Sequence, residues 1–283
     1  MHASCPSNHA VLAVVFLLFS GCATDARLSA QRLARQAEWQ WQVIPAADFD
    51  LAAAWRQGSD RSGVMVVYIE GDGLAYTREG RRSLDPTPTD PLALRLALQH
   101  PGRGAVAWLA RPCQYHPRGR TCHSDYWSIA RLSVDVIDSA NVALDRLKRE
   151  TNRPRIILVG YSGGGALAAL LAERRQDVAG LITVAANLDL AQWVHARHLT
   201  PLSRSIDPAT DAAVVSDLPQ VHFVGSEDRI VDPSVARSFV ARMSPTTRAS
   251  IVIVPGQDHG SGWADRWPTL IARSELSQIA GWR

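Results

Sequence analysis

Residues 155–175 have the pattern of a buried strand that turns directly into a helix, and this pattern limits the possible folds more than any other part of the chain. The run Arg155–Val159 is apolar and β-branched, as in strands that are buried on both faces. It passes through a glycine-rich turn into Gly163–Arg175, which is rich in alanine and leucine. Strands that alternate closely with helices build parallel sheets. We therefore expect an α/β protein.

The same alternation extends over most of the chain. The predicted strands are Trp39–Ile44, Phe49–Trp55, Val64–Ile69, Ala105–Leu109, Arg155–Val159, Leu181–Ala185, Val221–Val224 and Ser250–Val254. The predicted helices are 92–99, Tyr126–Arg149, Gly163–Arg175, Ser234–Met243 and Thr269–Ala280. The pattern lapses in 188–218, which we interpret as a small insertion after the sixth strand, over the C-terminal edge of the sheet. The chain of 283 residues suits one large domain with a mostly parallel, doubly wound sheet and helices on both faces.

The turn after the strand at 155–159 contains a candidate nucleophile. Its sequence, Gly160-Tyr161-Ser162-Gly163-Gly164, matches G-x-S-x-G. That motif is weak alone, but it carries meaning between a strand and a helix, where it forms a sharp turn that exposes the serine. The alternative is an ordinary glycine-rich turn with a capping serine. We predict that Ser162 is the nucleophile.

A catalytic serine needs a base, and the base needs an orienting carboxylate. Asp228 follows the predicted strand Val221–Val224 within Gly225-Ser226-Glu227-Asp228, and His259 follows the strand Ser250–Val254. Both lie just past the carboxyl ends of strands, where open α/β sheets build their sites. We therefore predict that His259 is the base and Asp228 the acid.

Other residues could fill these two roles. The carboxylates that compete with Asp228 are Glu227, Asp232 and Asp258. The histidines that compete with His259 are His195, His198 and His222, which lie earlier in the chain or inside a strand.

Acyl transfer also requires two backbone N–H groups that bind the oxyanion. One is predicted at Gly163, directly after the nucleophile. The other is predicted in the loop Glu70-Gly71-Asp72-Gly73, at Asp72 with Gly73 as the alternative. A carboxylate at Asp72 would repel an oxyanion unless the side chain turns away, for example toward Arg111.

Four segments resemble the α/β-hydrolase superfamily, and in particular a group of bacterial α/β-hydrolase lipoproteins. They are YIEGDG at 68–73, DPTP at 85–88, LARPCQY at 109–115 and VGYSGGG at 159–165. The resemblance covers 64–283 and implies an α/β-hydrolase fold with a triad in the chain order Ser, acid, His. It implies hydrolysis of an ester, thioester or amide through an acyl-enzyme without a metal or organic cofactor, and we expect a carboxylic ester. In many relatives a histidine stands where this chain has Glu70.

The N-terminus resembles a bacterial lipoprotein signal. The short apolar run Val11–Phe19 leads into Ser20-Gly21-Cys22, where Cys22 is the residue that would be lipidated. The resemblance divides the chain into a signal peptide at 1–21, a lipidated tether or first helix at 22–38 and the hydrolase domain at 39–283. The residue after Cys22 is Ala23 and not Asp. The resemblance therefore points to the outer membrane, with the domain facing the periplasm.

Export would also affect the two cysteines of the predicted hydrolase domain, Cys113 and Cys122. Cysteines pair in an oxidising compartment, so we expect a disulfide between them. The competing interpretation is a metal site that includes His116 and His123, but this spacing fits no common zinc pattern.

The net charge of +3, with acids and bases interspersed, gives no reason to expect a nucleic-acid partner. The expected partners are a small-molecule or lipid acyl substrate and the membrane through Cys22. Trp193 and His195 in the insertion either help to shape the pocket together with the disulfide loop or, as we favour, are ordinary core or lid packing. Two further functions stay open: an inactive hydrolase-fold lipoprotein that acts as a binding module, and an enzyme that transfers the acyl group to an alcohol.

Overall fold

An eight-stranded sheet lies at the centre of the computed structural model, which describes residues 20–115 and 121–282. The strands are β1 (Gln40–Ala46), β2 (Phe49–Arg56), β3 (Val64–Ile69), β4 (Ala105–Leu109), β5 (Arg155–Tyr161), β6 (Val178–Val184), β7 (Gln220–Gly225) and β8 (Ala249–Val254). The helices are α1 (Ser20–Gln36), α2 (Leu92–Leu98), α3 (Val134–Thr151), α4 (Gly163–Arg174), α5 (Leu190–Arg197), α6 (Pro233–Ala241) and α7 (Trp263–Leu270). All eight predicted strands are confirmed, with small differences at their ends.

The strand order is β1-β2-β4-β3-β5-β6-β7-β8, in which β1, β2 and β4 pair antiparallel and all other neighbours pair parallel. From β3 the chain moves outward to β4 and then returns across β3 to β5. The direction of winding therefore reverses between β3 and β5, and a crevice opens at the carboxyl ends of strands at such a reversal. The fold places the loop after β3 and the turn after β5 at this point.

Helices cover both faces of the sheet, as predicted. On one face, α3, α4 and α6 bury leucines, alanines and Phe239 against the strands. On the other face, α1, α2 and α7 pack against Tyr68, Trp108 and Phe223 from the strands. Because both faces are covered, the central strands are continuously apolar, and this explains why runs such as Val64–Ile69 show no alternation.

Two predicted helices are misplaced. The predicted helix at Tyr126–Arg149 is a short 3-10 turn at Ser124–Trp127, then irregular backbone, and then α3. In the irregular part, the carbonyl of Asp125 accepts hydrogen bonds from the N–H groups of Ser128 and Ala130. These turns direct Arg131 inward, where it contacts the site described below.

The predicted helix at Thr269–Ala280 is also wrong. The structure has α7 at Trp263–Leu270 and a 3-10 turn at Ser274–Gln278. Trp263 and Trp267 lie four residues apart and are both fully buried. These two side chains anchor one face of α7 to the sheet. The helix therefore begins earlier in the sequence than predicted.

The two segments outside the alternating pattern are also ordered elements. The stretch 188–218 contains α5 and two 3-10 turns, and Asp207 accepts hydrogen bonds from the N–H groups of Leu190 and Ala209. The stretch left open as a tether or a first helix forms α1, which buries Ala30 and Ala34. Among the residues described, no helix has the length and apolarity to cross a membrane. Residues 1–19 of the predicted signal peptide lie outside the described residues.

Candidate active site

Ser162 lies at a strained turn between β5 and α4. Its φ of 51° and ψ of −124° are a conformation that side-chain-bearing residues rarely adopt. A Cβ on Gly160 would overlap the backbone of Gly164, and a Cβ on Gly164 would overlap the carbonyl of Glu70. The glycines therefore allow the strand, the helix and the loop after β3 to approach each other. This close packing supports the strained turn and presents the Ser162 hydroxyl at the sheet edge.

The structure brings Ser162, His259 and Asp228 together in one hydrogen-bonded chain. Ser162 Oγ lies 3.0 Å from His259 Nε2, and His259 Nδ1 lies 2.8 Å from Asp228 Oδ2. The other Asp228 oxygen accepts hydrogen bonds from the N–H groups of Ile230 and Val231, both at 2.8 Å. The Asp228 carboxyl is fully buried, whereas the His259 side chain is 18% exposed. Asp228 is thus held rigidly, and the imidazole stays open to the cleft.

Four of the competing residues have other places in the fold. Asp232 caps α6 by accepting from Ser234 N–H, and Asp258 forms a turn with Gly260 and Ser261. His222 is buried against Thr183, and His198 ends α5 in a left-handed conformation. The geometry therefore favours Asp228 and His259 over these alternatives.

Two aromatic residues that sequence analysis did not identify hold the His259 loop. The Tyr161 hydroxyl and Trp263 Nε1 both donate hydrogen bonds to the carbonyl of His259, at 3.1 and 3.0 Å. The Tyr161 ring also lies against the imidazole, with 5.7 Å between ring centroids. Tyr161 immediately precedes Ser162, so the turn that presents the serine also holds the His259 loop.

The two predicted oxyanion donors, Gly163 and Asp72, are neighbours in space. A Cβ on Gly163 would overlap the Asp72 carboxylate. Gly163 begins α4, so its N–H has no partner within the helix. Across the ranges that the structure describes, neither this N–H nor that of Asp72 donates to another protein atom. Both amides are therefore available to a ligand.

Two arginines hold the Asp72 carboxylate. Arg131 Nη1 lies 2.5 Å from Asp72 Oδ2, and Arg111 Nη1 lies 3.2 Å from Oδ1. Burial alone would raise the pKa of Asp72, but the two guanidinium groups outweigh it and hold the pKa below its usual value. The Asp72 side chain thus turns toward Arg111, the partner that the sequence suggested, and also toward Arg131. Sequence analysis missed Arg131 because it lies inside a wrongly predicted helix.

Glu70 fixes the beginning of the same loop. It is buried, and its oxygens accept hydrogen bonds from Gly71 N–H (3.1 Å), Ala93 N–H (3.2 Å) and Trp108 Nε1 (3.0 Å). Burial raises the pKa of Glu70 to about 7, although these donors oppose the rise. The carboxyl joins the loop after β3 to α2 and β4.

The disulfide loop holds the loop after β3 from its other side. Cys113 and Cys122 form the predicted disulfide, with 5.6 Å between their Cα atoms, so the cysteines of the alternative zinc site are already bonded to each other. The adjacent Gln114 donates from Nε2 to the carbonyl of Gly71 (2.8 Å) and accepts from Arg111 N–H (3.1 Å). The sequence pattern does not reveal this contact between Gln114 and Gly71, because it joins residues far apart in the chain.

A cleft of about 270 Å³ opens above Ser162. It is lined by Glu70, Gly71, Asp72, Gly73, Leu74, Pro88, Thr89, Asp90, Leu92, Tyr161, Ser162 and Gly260. Trp193 does not line this cleft; its ring faces the Arg131 guanidinium, and its Nε1 donates to the carbonyl of Ile230. Trp193 is therefore buried and packs as favoured, whereas His195 is exposed and does not. Among the residues described, no group of three or more His, Cys, Asp or Glu side chains is arranged for a metal ion.

Comparisons of sequence and of structure give different results. No family model matches the sequence, and no curated protein matches it. Solved structures that resemble the chain include puromycin hydrolase, with a TM-score of 0.64 and 19% identity over 86% of this chain. The chain spans only 39% of the length of puromycin hydrolase.

Two further neighbours match over nearly their whole length. A membrane phospholipase A, described as a bacterial virulence factor, has a TM-score of 0.56 and 16% identity over 95% of this chain and 94% of its own. A serine hydrolase homologue from Coxiella burnetii has a TM-score of 0.54 and 15% identity over 85% of this chain and 95% of its own. At these identities the likeness establishes the fold, and the chain has the predicted α/β-hydrolase fold.

Proposed function

We propose that this protein is a serine hydrolase that cleaves a carboxylic ester through an acyl-enzyme. The observation that carries the proposal is the hydrogen-bonded chain from Ser162 through His259 to Asp228, which starts at a strained turn on the edge of the sheet. A serine hydroxyl becomes a nucleophile when an adjacent base removes its proton. The neighbouring structures, whose names include hydrolases and a phospholipase, support the same class of reaction.

The proposed reaction has two halves. His259 Nε2 takes the proton of Ser162 Oγ while the oxygen attacks the ester carbonyl, and Asp228 stabilises the imidazolium from the Nδ1 side. The tetrahedral intermediate collapses when His259 returns this proton to the departing alkoxide, which leaves as the alcohol. Water then attacks the acyl carbonyl while His259 takes its proton. The bond between Ser162 Oγ and the acyl carbon breaks, His259 returns the proton to Oγ, and the carboxylic acid departs.

The proposed oxyanion hole consists of the N–H groups of Gly163 and Asp72. Removing one such donor typically costs about a hundredfold to a thousandfold in kcat. The Asp72 carboxylate lies beside this position, but Arg111 and Arg131 compensate its charge. The three groups together carry a net positive charge, which favours an oxyanion nearby.

A fluorophosphonate probe tests the proposed nucleophile. The full chain in detergent is labelled and the adduct located by mass spectrometry, alongside Ser162→Ala and a control variant, Ser277→Ala, that removes an exposed hydroxyl near the C-terminus. We expect one adduct on Ser162 in wild type and Ser277→Ala, and none in Ser162→Ala. A folded wild-type protein that takes no label would overturn the proposal. Matched ester, thioester and amide substrates then test the bond type.

We also propose that the protein is a lipoprotein anchored through Cys22, in the bacterial cell envelope and on the periplasmic face of the outer membrane. The apolar run before Ser20-Gly21-Cys22 supports this proposal. Expression in a bacterium supplied with an alkyne-labelled fatty acid should label the wild type and the control Cys5→Ser, but not Cys22→Ser. Equal labelling of Cys22→Ser, or recovery of wild type in the soluble fraction, would contradict the anchor.

A further inference from the structure

A groove of about 560 Å³ adjoins the cleft above Ser162. Leu74 and Thr89 line both the cleft and the groove, so the two meet at these residues. The loop at 74–89, with a short bridge between Tyr76 and Arg82, forms most of the groove, and Ala26 of α1 contributes to its wall. Its size lies in the range of pockets that hold small molecules.

The groove carries apolar side chains that face solvent. Leu84 is 98% exposed, the largest exposure of any large apolar residue in the described ranges, and Leu74 is 45% exposed. The backbone on both sides of Leu84 is fixed, because the Ser83 hydroxyl donates to the carbonyls of Leu74 and Asp85 and the Asp85 carboxylate accepts from Thr87 N–H. Because the backbone here is already fixed, an apolar ligand that covers the Leu84 side chain gains free energy without the loss of loop entropy.

The position of the groove indicates which part of an ester would occupy it. In the proposed mechanism His259 must reach the leaving-group oxygen, so the alcohol part lies on the His259 side of the cleft. The groove instead begins beyond Leu74 and Thr89, next to the Asp72–Gly73 segment that provides an oxyanion donor. Three charged residues line the groove, Arg81, Arg82 and Asp85. Arg82 is paired with Asp125 at 2.7 Å, so this guanidinium does not require a charged ligand.

We propose that this groove binds the acyl chain of the substrate, and that the substrate class is therefore esters of medium-chain fatty acids. This inference rests on the proposed serine hydrolase function. Each methylene that becomes fully buried favours binding by about fourfold, and one in a half-open groove by about twofold.

Two ester series test the acyl assignment on the full chain in detergent. The first varies the acyl group from butyrate to octanoate with one p-nitrophenyl leaving group, and the second varies the alcohol from butyl to octyl acetate. We expect kcat/KM to rise about 16-fold along the first series, at about twofold per methylene, and to change little along the second. A rise along only the alcohol series would place the leaving group in the groove and overturn the assignment. A preference for a negatively charged acyl group, such as a monosuccinate, over butyrate would also overturn it.

A variant pair links the preference to the groove. We expect Leu84→Gln to lower the ratio of octanoate to butyrate kcat/KM about threefold, whereas Val142→Gln, an exposed apolar residue on α3, should keep the wild-type ratio. An unchanged ratio in Leu84→Gln would overturn the groove assignment even if every ester is hydrolysed.

A binding measurement needs no catalysis. Decanoate is titrated into Ser162→Ala in a calorimeter, with and without the additional Leu84→Gln substitution. Binding that Leu84→Gln weakens supports the groove, and no binding contradicts it. Failure of the serine chemistry would instead appear as loss of hydrolysis in all esters.

Discussion

Asp72 has a backbone N–H that can bind an oxyanion and a carboxylate that would repel it. The structure resolves this conflict by directing the carboxylate to Arg131 and Arg111. The pKa of Asp72 stays below its usual value, so the side chain is charged at neutral pH and depends on these partners. The same ion pairs hold the Asp72 peptide beside Gly163.

We therefore predict that Arg131→Gln lowers kcat about tenfold and the free energy of unfolding by about 2 kcal/mol, because a buried carboxylate loses a charged partner. In Asp72→Asn/Arg131→Gln the repelling charge is gone, and we expect much of the lost kcat to return. Ester hydrolysis and urea unfolding of the two single variants and the double variant form the cycle that measures this coupling. Additive effects in both assays would show that the pair is not coupled.

Glu70 predicts a pH dependence of stability. Because burial raises its pKa from 4.5 to about 7 in the folded protein, the folded state keeps a proton that the unfolded state releases between these pH values. Its contribution to stability is therefore lost as the pH rises from about 4.5 to 7, by about 3 kcal/mol in all.

Glu70→Gln should remove this dependence, and it should also be less stable because its amide nitrogen faces an N–H donor. Urea unfolding at pH 5 and pH 8 measures this pH dependence. The difference in stability between wild type and Glu70→Gln should shrink at the higher pH. A difference that is constant over this range would mean that Glu70 does not titrate there.

At the scale of elements, the loop after β3 is held by parts of the chain that are distant in sequence. Glu70 ties it to α2 and β4, and Gln114 ties it to the disulfide loop. The precision of the proposed oxyanion hole thus depends on side chains outside the Ser162, His259 and Asp228 set.

Gln114→Glu tests this arrangement. A glutamate at this position can still accept from Arg111 N–H but cannot donate to the carbonyl of Gly71. We predict that kcat falls about tenfold with KM nearly unchanged, since the displaced amide acts on the transition state. Gln57→Glu, which loses a comparable donation to the carbonyl of Glu150 at the surface, should keep the wild-type kcat. Equal effects of the two variants would contradict a positioning role for Gln114.

The elements were predictable where local chemistry decides them. Most strands are β-branched or apolar runs, and the helix predicted at 92–99 matches α2. The start of α3 and the position of α7 were not predictable, because tertiary contacts decide them: Arg131 turns inward to Asp72, and two buried tryptophans fix α7. Helical periodicity alone cannot show either contact.

At the scale of the whole molecule, the sheet collects the candidate site from three distant parts of the chain. The carboxyl ends of β5, β7 and β8 supply Ser162, Asp228 and His259, and this was predictable because every parallel strand delivers its following loop to the same edge. The contacts of Asp72 with Arg131 and of Gln114 with Gly71 bridge 59 and 43 residues. No local pattern encodes such pairs.

The disulfide joins two cysteines nine residues apart, and the chain-entropy model gives about 2–3 kcal/mol for a loop of this length. We expect Cys113→Ser/Cys122→Ser to lose this much stability in urea unfolding and also to lose activity, because Gln114 adjoins the bridge. Ser277→Ala, which removes an exposed hydroxyl near the C-terminus, is the control. If the double variant loses stability but keeps full activity, the bridge stabilises the protein without positioning the loop.

The separation of 97 residues between Ser162 and His259 also has a consequence for biosynthesis. Chains are made from the N-terminus, and a nascent chain that has reached the end of α4 carries the serine without either partner. Asp228 follows, and His259 comes 31 residues later. A partly synthesised or prematurely terminated chain that stops before residue 259 therefore lacks the base, so the proposed activity begins only when the sheet has received its last strand.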